Sequence, residues 1–310
     1  MTEEITAWFL HAIDAADAPK SLRELSERFS ARSISKSKLL HSAKWEPLLR
    51  GEDTSLPKGW VNLGELACTR RGIATGANDY FLLSRQAADE FGLPEKHLVR
   101  CIGRANDVSS LIFTQADFDN ADLSGAKCWL WDVKSRPDAK EKLYISYGEE
   151  RGVHKRYLPA HRTPWYSMEQ REVAPVWGSV FGRGDLEFVF NSARVRSLTN
   201  FHCIYPNDRR ELNCRALTAV LNSNSVRSRS KLHTRGFGGG LAKFEPRDLL
   251  TIPVPDLRQV DDAFLGRLSD QLSKLDEATR TNRDDGSQLA LDELVERAAE
   301  QASKHRDKLL

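Results

Sequence analysis

Arg71-Gly-Ile-Ala-Thr-Gly-Ala-Asn-Asp-Tyr-Phe-Leu-Leu83 is the stretch from which the fold class is read. Two glycines and an Asn mark a turn, and the apolar residues 80–83 follow it as a short strand. Residues 87–91 then read as a brief helix, halted by Gly92-Leu-Pro94. The same grammar runs to residue 256. Strands are expected at 186–190 and 203–205 and a helix at 216–221, with turn signals at Pro159, Pro164, Gly182 and Gly184. Such short, mixed segments predict an α+β domain rather than an alternating βαβ sheet. No period of about 20–50 residues appears, so a solenoid is excluded.

Outward from this domain the character changes. Ile252-Pro-Val-Pro-Asp256 closes it, because two prolines so close stop regular structure. Beyond it, Val260, Phe264, Leu268, Leu272 and Leu275 recur at helical spacing, and Leu289, Leu291, Leu294 and Ala298 repeat the habit. Two amphipathic helices forming a hairpin are expected there. Upstream, Ile5, Trp8, Phe9 and Ile13 predict a short helix, Ser21 with Glu24 a capped second one, and residues 33–40 a strand. Residues 51–59 read as a linker. The expected organisation is a leader over 1–50, a central domain over 51–257 and a helical tail over 258–310.

Composition excludes several classes. With 40% hydrophobic and 29% charged residues, the chain is neither disordered nor membrane-embedded, and no apolar run reaches the roughly 18 residues of a span. The N-terminal Met-Thr-Glu-Glu-Ile carries no secretory pattern. Five cysteines without a C-x-x-C suggest reduced thiols, no zinc ribbon and a cytoplasmic protein.

The net charge of +2 conceals a partition. Between Arg194 and Arg235 nine cations face two anions, a net of +7, whereas thirteen acids and nine bases from Asp256 onward leave −4. Such a run is either a solvated face or an anion-binding one. The glycine run Gly236-Phe-Gly-Gly-Gly-Leu-Ala-Lys243 matches neither a phosphate loop nor G-x-G-x-x-G. Without Cβ atoms it allows close backbone approach to another surface, and Arg235 and Lys243 beside it suggest an anionic one. Asp119 with Asp138-Ala-Lys140 can be forced into a nuclease pattern, but the second pair lies in a charged, Pro-containing stretch that reads as a solvated loop. No histidine pair has metal-ligand spacing, and no metal site is expected.

Taken in order, several short motifs resemble one family. They are Leu63-Gly-Glu-Leu66, the stretch Arg71 to Leu83, Gly92-Leu-Pro94, His161-Arg-Thr-Pro-Trp-Tyr166, Phe190-Asn-Ser-Ala-Arg194 and Asn200-Phe-His-Cys-Ile204. Ala219-Val-Leu-Asn-Ser223, the glycine run and Leu250-Thr-Ile-Pro-Val-Pro-Asp256 follow. Together they resemble the target-recognition domain of TaqI-like adenine-N6 DNA methyltransferases over about two-thirds of the chain. Residues 33–49 resemble the segment joining that family's catalytic domain to its recognition domain. The catalytic half of the family binds S-adenosylmethionine and holds a flipped adenine with Asn-Pro-Pro-Tyr. This sequence has no Pro-Pro dipeptide, and the residues ahead of Ser33 are too few for that domain.

The resemblance therefore implies a DNA sequence-recognition subunit of a split adenine-specific methyltransferase or restriction–modification system. It implies double-stranded DNA as partner, together with a separate methyltransferase catalytic subunit that carries S-adenosylmethionine; no cofactor and no catalytic residue are expected in this chain. A reader of DNA needs cations for phosphates and Arg, Lys, Asn or Gln for base edges. The expected DNA-contacting residues are Arg70, Arg71, Thr75, Asn78, Arg162, Asn191, Arg194, Arg196, Asn200, Arg227, Arg229, Lys231, Arg235 and Lys243. Trp129, Trp131, Trp165 and Trp177 read as core, with Trp165-Tyr166 anchoring the neighbouring Arg162. The tail is expected to dock the catalytic partner. The alternatives are a stand-alone nuclease with a divergent metal site and a non-enzymatic interaction protein.

Overall fold

A computed structural model describes residues 4–8, 31–35, 37, 40, 55–182, 187–230, 235–237, 241–243 and 245–306. They fall into two compact units, Met1–Pro57 and Lys58–Leu310. In the first, β1 (Glu4–Trp8) pairs antiparallel with β2 (Ala31–Ser35), Glu4 opposite Ser35 and Trp8 opposite Ala31. The helix expected over 5–13 thus begins as a strand. A few apolar residues do not separate the two periods, and the ladder with a distant partner decides. The helix expected from Ser21 lies outside the described residues.

The second unit is α+β, as the turn grammar predicts. It opens with β3 (Trp60–Asn62), the turn α1 (Leu63–Leu66) and β4 (Ala67–Arg71). Next come α2 (Asn78–Phe81), β5 (Leu82–Leu83), α3 (Arg85–Glu90) and β6 (Leu98–Ile102). The strand expected over 80–83 is helical until Phe81. The Thr75 hydroxyl accepts from the Ala77 N–H at 3.0 Å, and the Tyr80 and Phe81 N–H groups both donate to the Ala77 carbonyl. A side-chain-closed turn thereby starts a helical one. β7 (Ile112–Phe113), α4 (Gln115–Leu123), β8 (Trp129–Trp131), α5 (Ala139–Glu150) and α6 (Tyr157–Ala160) follow. Both α4 and α5 begin at capping boxes, Thr114 with Asp117 and Asp138 with Glu141. Asp138 is therefore a helix cap, and Asp119 accepts from Gln115 within α4, which accounts for both acids of the nuclease pattern.

β9 (Val176–Ser179), β10 (Phe181–Gly182), β11 (Phe188–Asn191), β12 (Arg196–Ser197) and β13 (Phe201–Pro206) complete the central strands. One sheet has the order β4-β13-β9-β11-β7, antiparallel except for the β11–β7 pair. A second has the order β12-β6-β8-β5. Side chains of the first sheet alternate between two cores: Val176, Phe188, Phe190 and Ile204 enter one, and Trp177, Val189, Cys203 and Tyr205 the other. A sheet covered on both faces explains the unbroken apolar run Phe188-Val-Phe190.

The aromatic core lies between the two sheets, with Trp131, Tyr80, Phe81 and Tyr144 among its fully buried rings. Its edge holds a buried polar clamp. Glu141 accepts from His97 Nδ1 at 2.6 Å and from Trp131 Nε1 at 3.1 Å, so no buried charge is left unsatisfied there. The other core takes α7 (Glu211–Leu221) and α8 (Asn224–Ser230). The strands β14 (Arg235–Phe237) and β15 (Leu241–Lys243) form a hairpin on β10; α9 (Pro246–Leu249) and β16 (Pro253–Pro255) then lead back to β3. The tail helices are α10 (Asp262–Thr281) and α11 (Ser287–Arg306), as their periodicity predicts. Their stripes are mostly internal: Phe264, Leu268, Leu272, Leu291, Val295 and Ala298 belong to the same core as β3, β16 and α7, while Leu289 stays exposed. Residue 257 is consequently no packing boundary, and the tail is part of the second unit.

Candidate nucleic-acid interface

The loop after β4 is held from three sides. A Cβ at Gly72 would collide with the carbonyl oxygen of Leu198, so only glycine lets the loop lie against the 197–201 segment. There the Gly72 N–H donates to the Phe201 carbonyl at 3.1 Å and the Ile73 N–H to the Ser197 carbonyl at 2.9 Å. From a second side, Arg162 donates from one guanidinium nitrogen to the Thr75 carbonyl at 2.9 Å and from the other to the Ala74 carbonyl. From the third, Glu169 accepts the Ala74 N–H at 2.7 Å and lies 3.6 Å from the Arg71 guanidinium. Burial, opposed by Glu169 and aided by Arg71, pulls the Arg162 pKa below the usual arginine value. Thr75 is buried and its hydroxyl donates to the Asn78 side-chain oxygen. The result is a preorganised loop that leaves Arg70, Arg71, Gly76 and Asn78 exposed.

A second turn follows β11. Asn191 is 2% exposed; its amide donates to the Ala174 and Val195 carbonyls at 2.8 Å each and accepts from the Val195 N–H at 3.1 Å. The turn it closes carries exposed Arg194 at φ 53°, a left-handed conformation that costs a non-glycine residue about 1–2 kcal/mol. Asn200 donates to the Gly103 carbonyl, and its own carbonyl accepts from Val180 at 3.3 Å, just ahead of β10. β10 pairs with β15, and β15 with β14, so Arg235 and Lys243 occupy opposed positions in a hairpin attached through β10. The glycine run expected to approach a surface is thus the hairpin's connection, of which residues 238–240 lie outside the described ones. Lys231 also lies outside them.

Several expected DNA contacts are otherwise engaged. Arg162 and Asn191 are positioning groups whose polar atoms are spent on backbone. Arg196 is largely buried and pairs with buried Asp132 at 3.2 Å. Arg227 donates to Asn222 at 2.9 Å, and Arg229 sits over the Trp60 ring, 5.0 Å from its centroid. Those two belong to α8, which binds the tail through Asn224 to Asp292 and Ser225 to Glu296. The charge run from Arg194 to Arg235 is therefore divided between the exposed Arg194 turn, surface ion pairs of Arg209 and Arg210, and internal networks, because consecutive segments of it go to different parts of the fold. Sequence reading did not find Glu169. Its partner Ala74 is 95 residues away, and nothing local distinguishes it from a solvated acid.

No helix among the described residues is long and apolar enough to cross a membrane, and the described residues hold no group of three His, Cys, Asp or Glu arranged to bind a metal ion.

Known proteins share this chain's pattern. Type II methyltransferase M.AccI of Acinetobacter calcoaceticus is 36% identical over 220 residues, 70% of this chain and 41% of that protein. Type II methyltransferase M.XamI of Xanthomonas campestris pv. amaranthicola is 24% identical over 243 residues, 77% of this chain and 44% of that protein. The chain thus spans less than half the length of the curated relatives it matches. The solved structure of the type IIG restriction endonuclease BpuSI aligns at 13% identity with a TM-score of 0.49, over 91% of this chain and 37% of that one. A family model, the C-terminal domain of Type II methyltransferase M.Eco57I, matches residues 53–295, which takes in both sheets, the pinned loop and most of the tail. By that match the chain belongs to the family of the M.Eco57I C-terminal domain.

Proposed function

We propose that this chain is the target-recognition module of an adenine-specific methyltransferase in a restriction–modification system, and that it places a catalytic methyltransferase region, carried on a separate subunit, on duplex DNA. The observation that supports the reading most is the pinned loop of residues 72–78, set within a Type II methyltransferase C-terminal family. Preorganised backbone with exposed Arg70, Arg71 and Asn78 suits recognition. Arginine grips phosphate or reads guanine, and asparagine can bond adenine through two atoms. Arg194, in its left-handed turn, is a further exposed cation of the same unit. S-adenosylmethionine belongs to the catalytic region, which would do the chemistry while this module sets the register.

The test is a duplex selection. The full chain, immobilised, should enrich a short common sequence from a random duplex pool. Co-expressed with the catalytic subunit, it should direct adenine methylation to that same sequence. Failure to retain any duplex, or methylation at sites unrelated to the enriched sequence, refutes the reading.

A further inference from the structure

Next to the pinned loop lies a feature that the loop's own architecture does not require. α6 carries Tyr157 at 77% exposure, an aromatic ring left almost wholly in water. Tyr157 is held in place without being buried. The His161 ring packs against it, centroids 4.7 Å apart and planes 46° apart, and His161 Nδ1–H donates to the Tyr157 carbonyl at 2.6 Å. Among the described residues the Tyr157 hydroxyl has no hydrogen-bond partner.

Its location is fixed by the loop. A Cβ at Gly76 would stand 2.7 Å from Leu158 Cβ and 2.8 Å from Pro159 Cδ, so α6 touches the loop's tip. Arg156, one residue before Tyr157, grips Asp79 at the loop's far end, with one bond at 2.9 Å. Arg162, five residues after it, grips the loop's Ala74 and Thr75 carbonyls. The helix that carries the ring is therefore anchored to the loop that carries Asn78. Lys155 and Arg156 precede it in the chain and His161 packs on it, while Asp79 is occupied by Arg156 and Arg151.

From this juxtaposition we infer that Tyr157, oriented by His161, is a stacking site for a nucleobase exposed at an opened or kinked step of duplex DNA. The inference rests on the reading of the loop as a DNA-facing element. A π face in a basic setting suits a base, since every base has a π face and stacking tolerates sequence. Duplex bases offer their faces only where a step is unstacked, which is where aromatic and apolar wedges act. His161 is a positioning residue: it restricts the ring's rotamers before binding and so lowers the ordering cost.

The experiment uses the full chain and a duplex it enriches from a random pool, with binding followed by fluorescence anisotropy across a salt series. Tyr157→Ala and Tyr157→Leu should each weaken binding by about 5- to 100-fold. Tyr157→Phe should stay within about twofold of the parent, since it keeps the π face. The salt slope should be unchanged in all three, because no phosphate contact is removed. The exposed position predicts unaltered thermal unfolding. Parent-like affinity for Tyr157→Leu overturns the stacking site, as does equal loss for Tyr157→Phe and Tyr157→Ala. Both outcomes leave the recognition reading intact. A parent chain that retains no duplex at all overturns both.

Discussion

Replacing Arg162 by alanine separates a residue that builds the interface from one that touches DNA. Its guanidinium supplies two charge-assisted hydrogen bonds to adjacent backbone carbonyls of the loop, one of them 2.9 Å long. Bonds of this kind contribute about 1.5–3 kcal/mol each, and water can reach part of this half-buried site, so the expected loss is about 2–4 kcal/mol. For a unit of this size that corresponds to a fall in Tm of about 5–12 °C. Glu169 should suffer with it, because the same loop residue, Ala74, is held by both side chains. Arg162→Lys should recover little, since an ammonium cannot bridge two carbonyls with a planar fork. On DNA the loosened loop should lower affinity about tenfold or more, near 1.4 kcal/mol. The slope of log affinity against log salt should stay where it was. Arg70→Ala, which removes an exposed cation on β4, should instead leave Tm unchanged and reduce that slope by about 0.9. Scanning calorimetry and anisotropy titrations at four salt concentrations measure all of this. An Arg162→Ala protein with parental Tm and a slope lower by one phosphate would refute the positioning role and restore Arg162 as a direct contact.

Asn191→Ala should lower Tm by several degrees through three lost buried hydrogen bonds, at about 1–3 kcal/mol of unfolding free energy; Asn78→Ala, which removes only the Thr75–Asn78 bond, should lower Tm less and relax one position of the enriched sequence. A chain ending at residue 257 should not fold, and Leu268→Ala or Leu272→Ala in the full chain should cost about 2–5 kcal/mol by chemical denaturation, because these side chains complete the core around β3, β16 and α7. Soluble, cooperatively unfolding protein from the truncation would show the tail to be separable after all. Asp117 is pushed up by burial, but its bonds to Arg280 and Thr114 outweigh this and hold its pKa at about 2, below the ordinary 3.8. Its contribution, about 2 kcal/mol, is therefore present above pH 4 and lost as pH falls from 4 towards 2. Asp117→Asn should flatten that part of the stability-versus-pH curve, and an unchanged curve would remove the Asp117–Arg280 pair from the account.

Local pattern alone determined the α+β class and the two tail helices, and residue type the burial of Trp129, Trp131 and Trp177, with Trp165 only partly buried. The reason is that period, turn residues and caps act within a few positions. The stripe Phe264, Leu268, Leu272 needs only helical geometry to form a face, and Asp261 caps its start within three residues. What that face packs against was not legible, and the expected free docking surface became shared core. The same limit governs the interface. The residue types of Arg70, Arg162, Arg194 and Arg196 are alike, and a sequence cannot rank them. Tertiary structure brought Asp132 to Arg196 across 64 positions and the loop carbonyls to Arg162 across 87 and 88, while leaving Arg70 and Arg194 exposed. Whether a cation is available to an anionic ligand depends on which acid or carbonyl meets it in space, and burial sets that pairing through contacts far apart in the chain. Likewise Glu4–Trp8 is a strand because Ala31–Ser35 lies beside it, a partner more than twenty residues away.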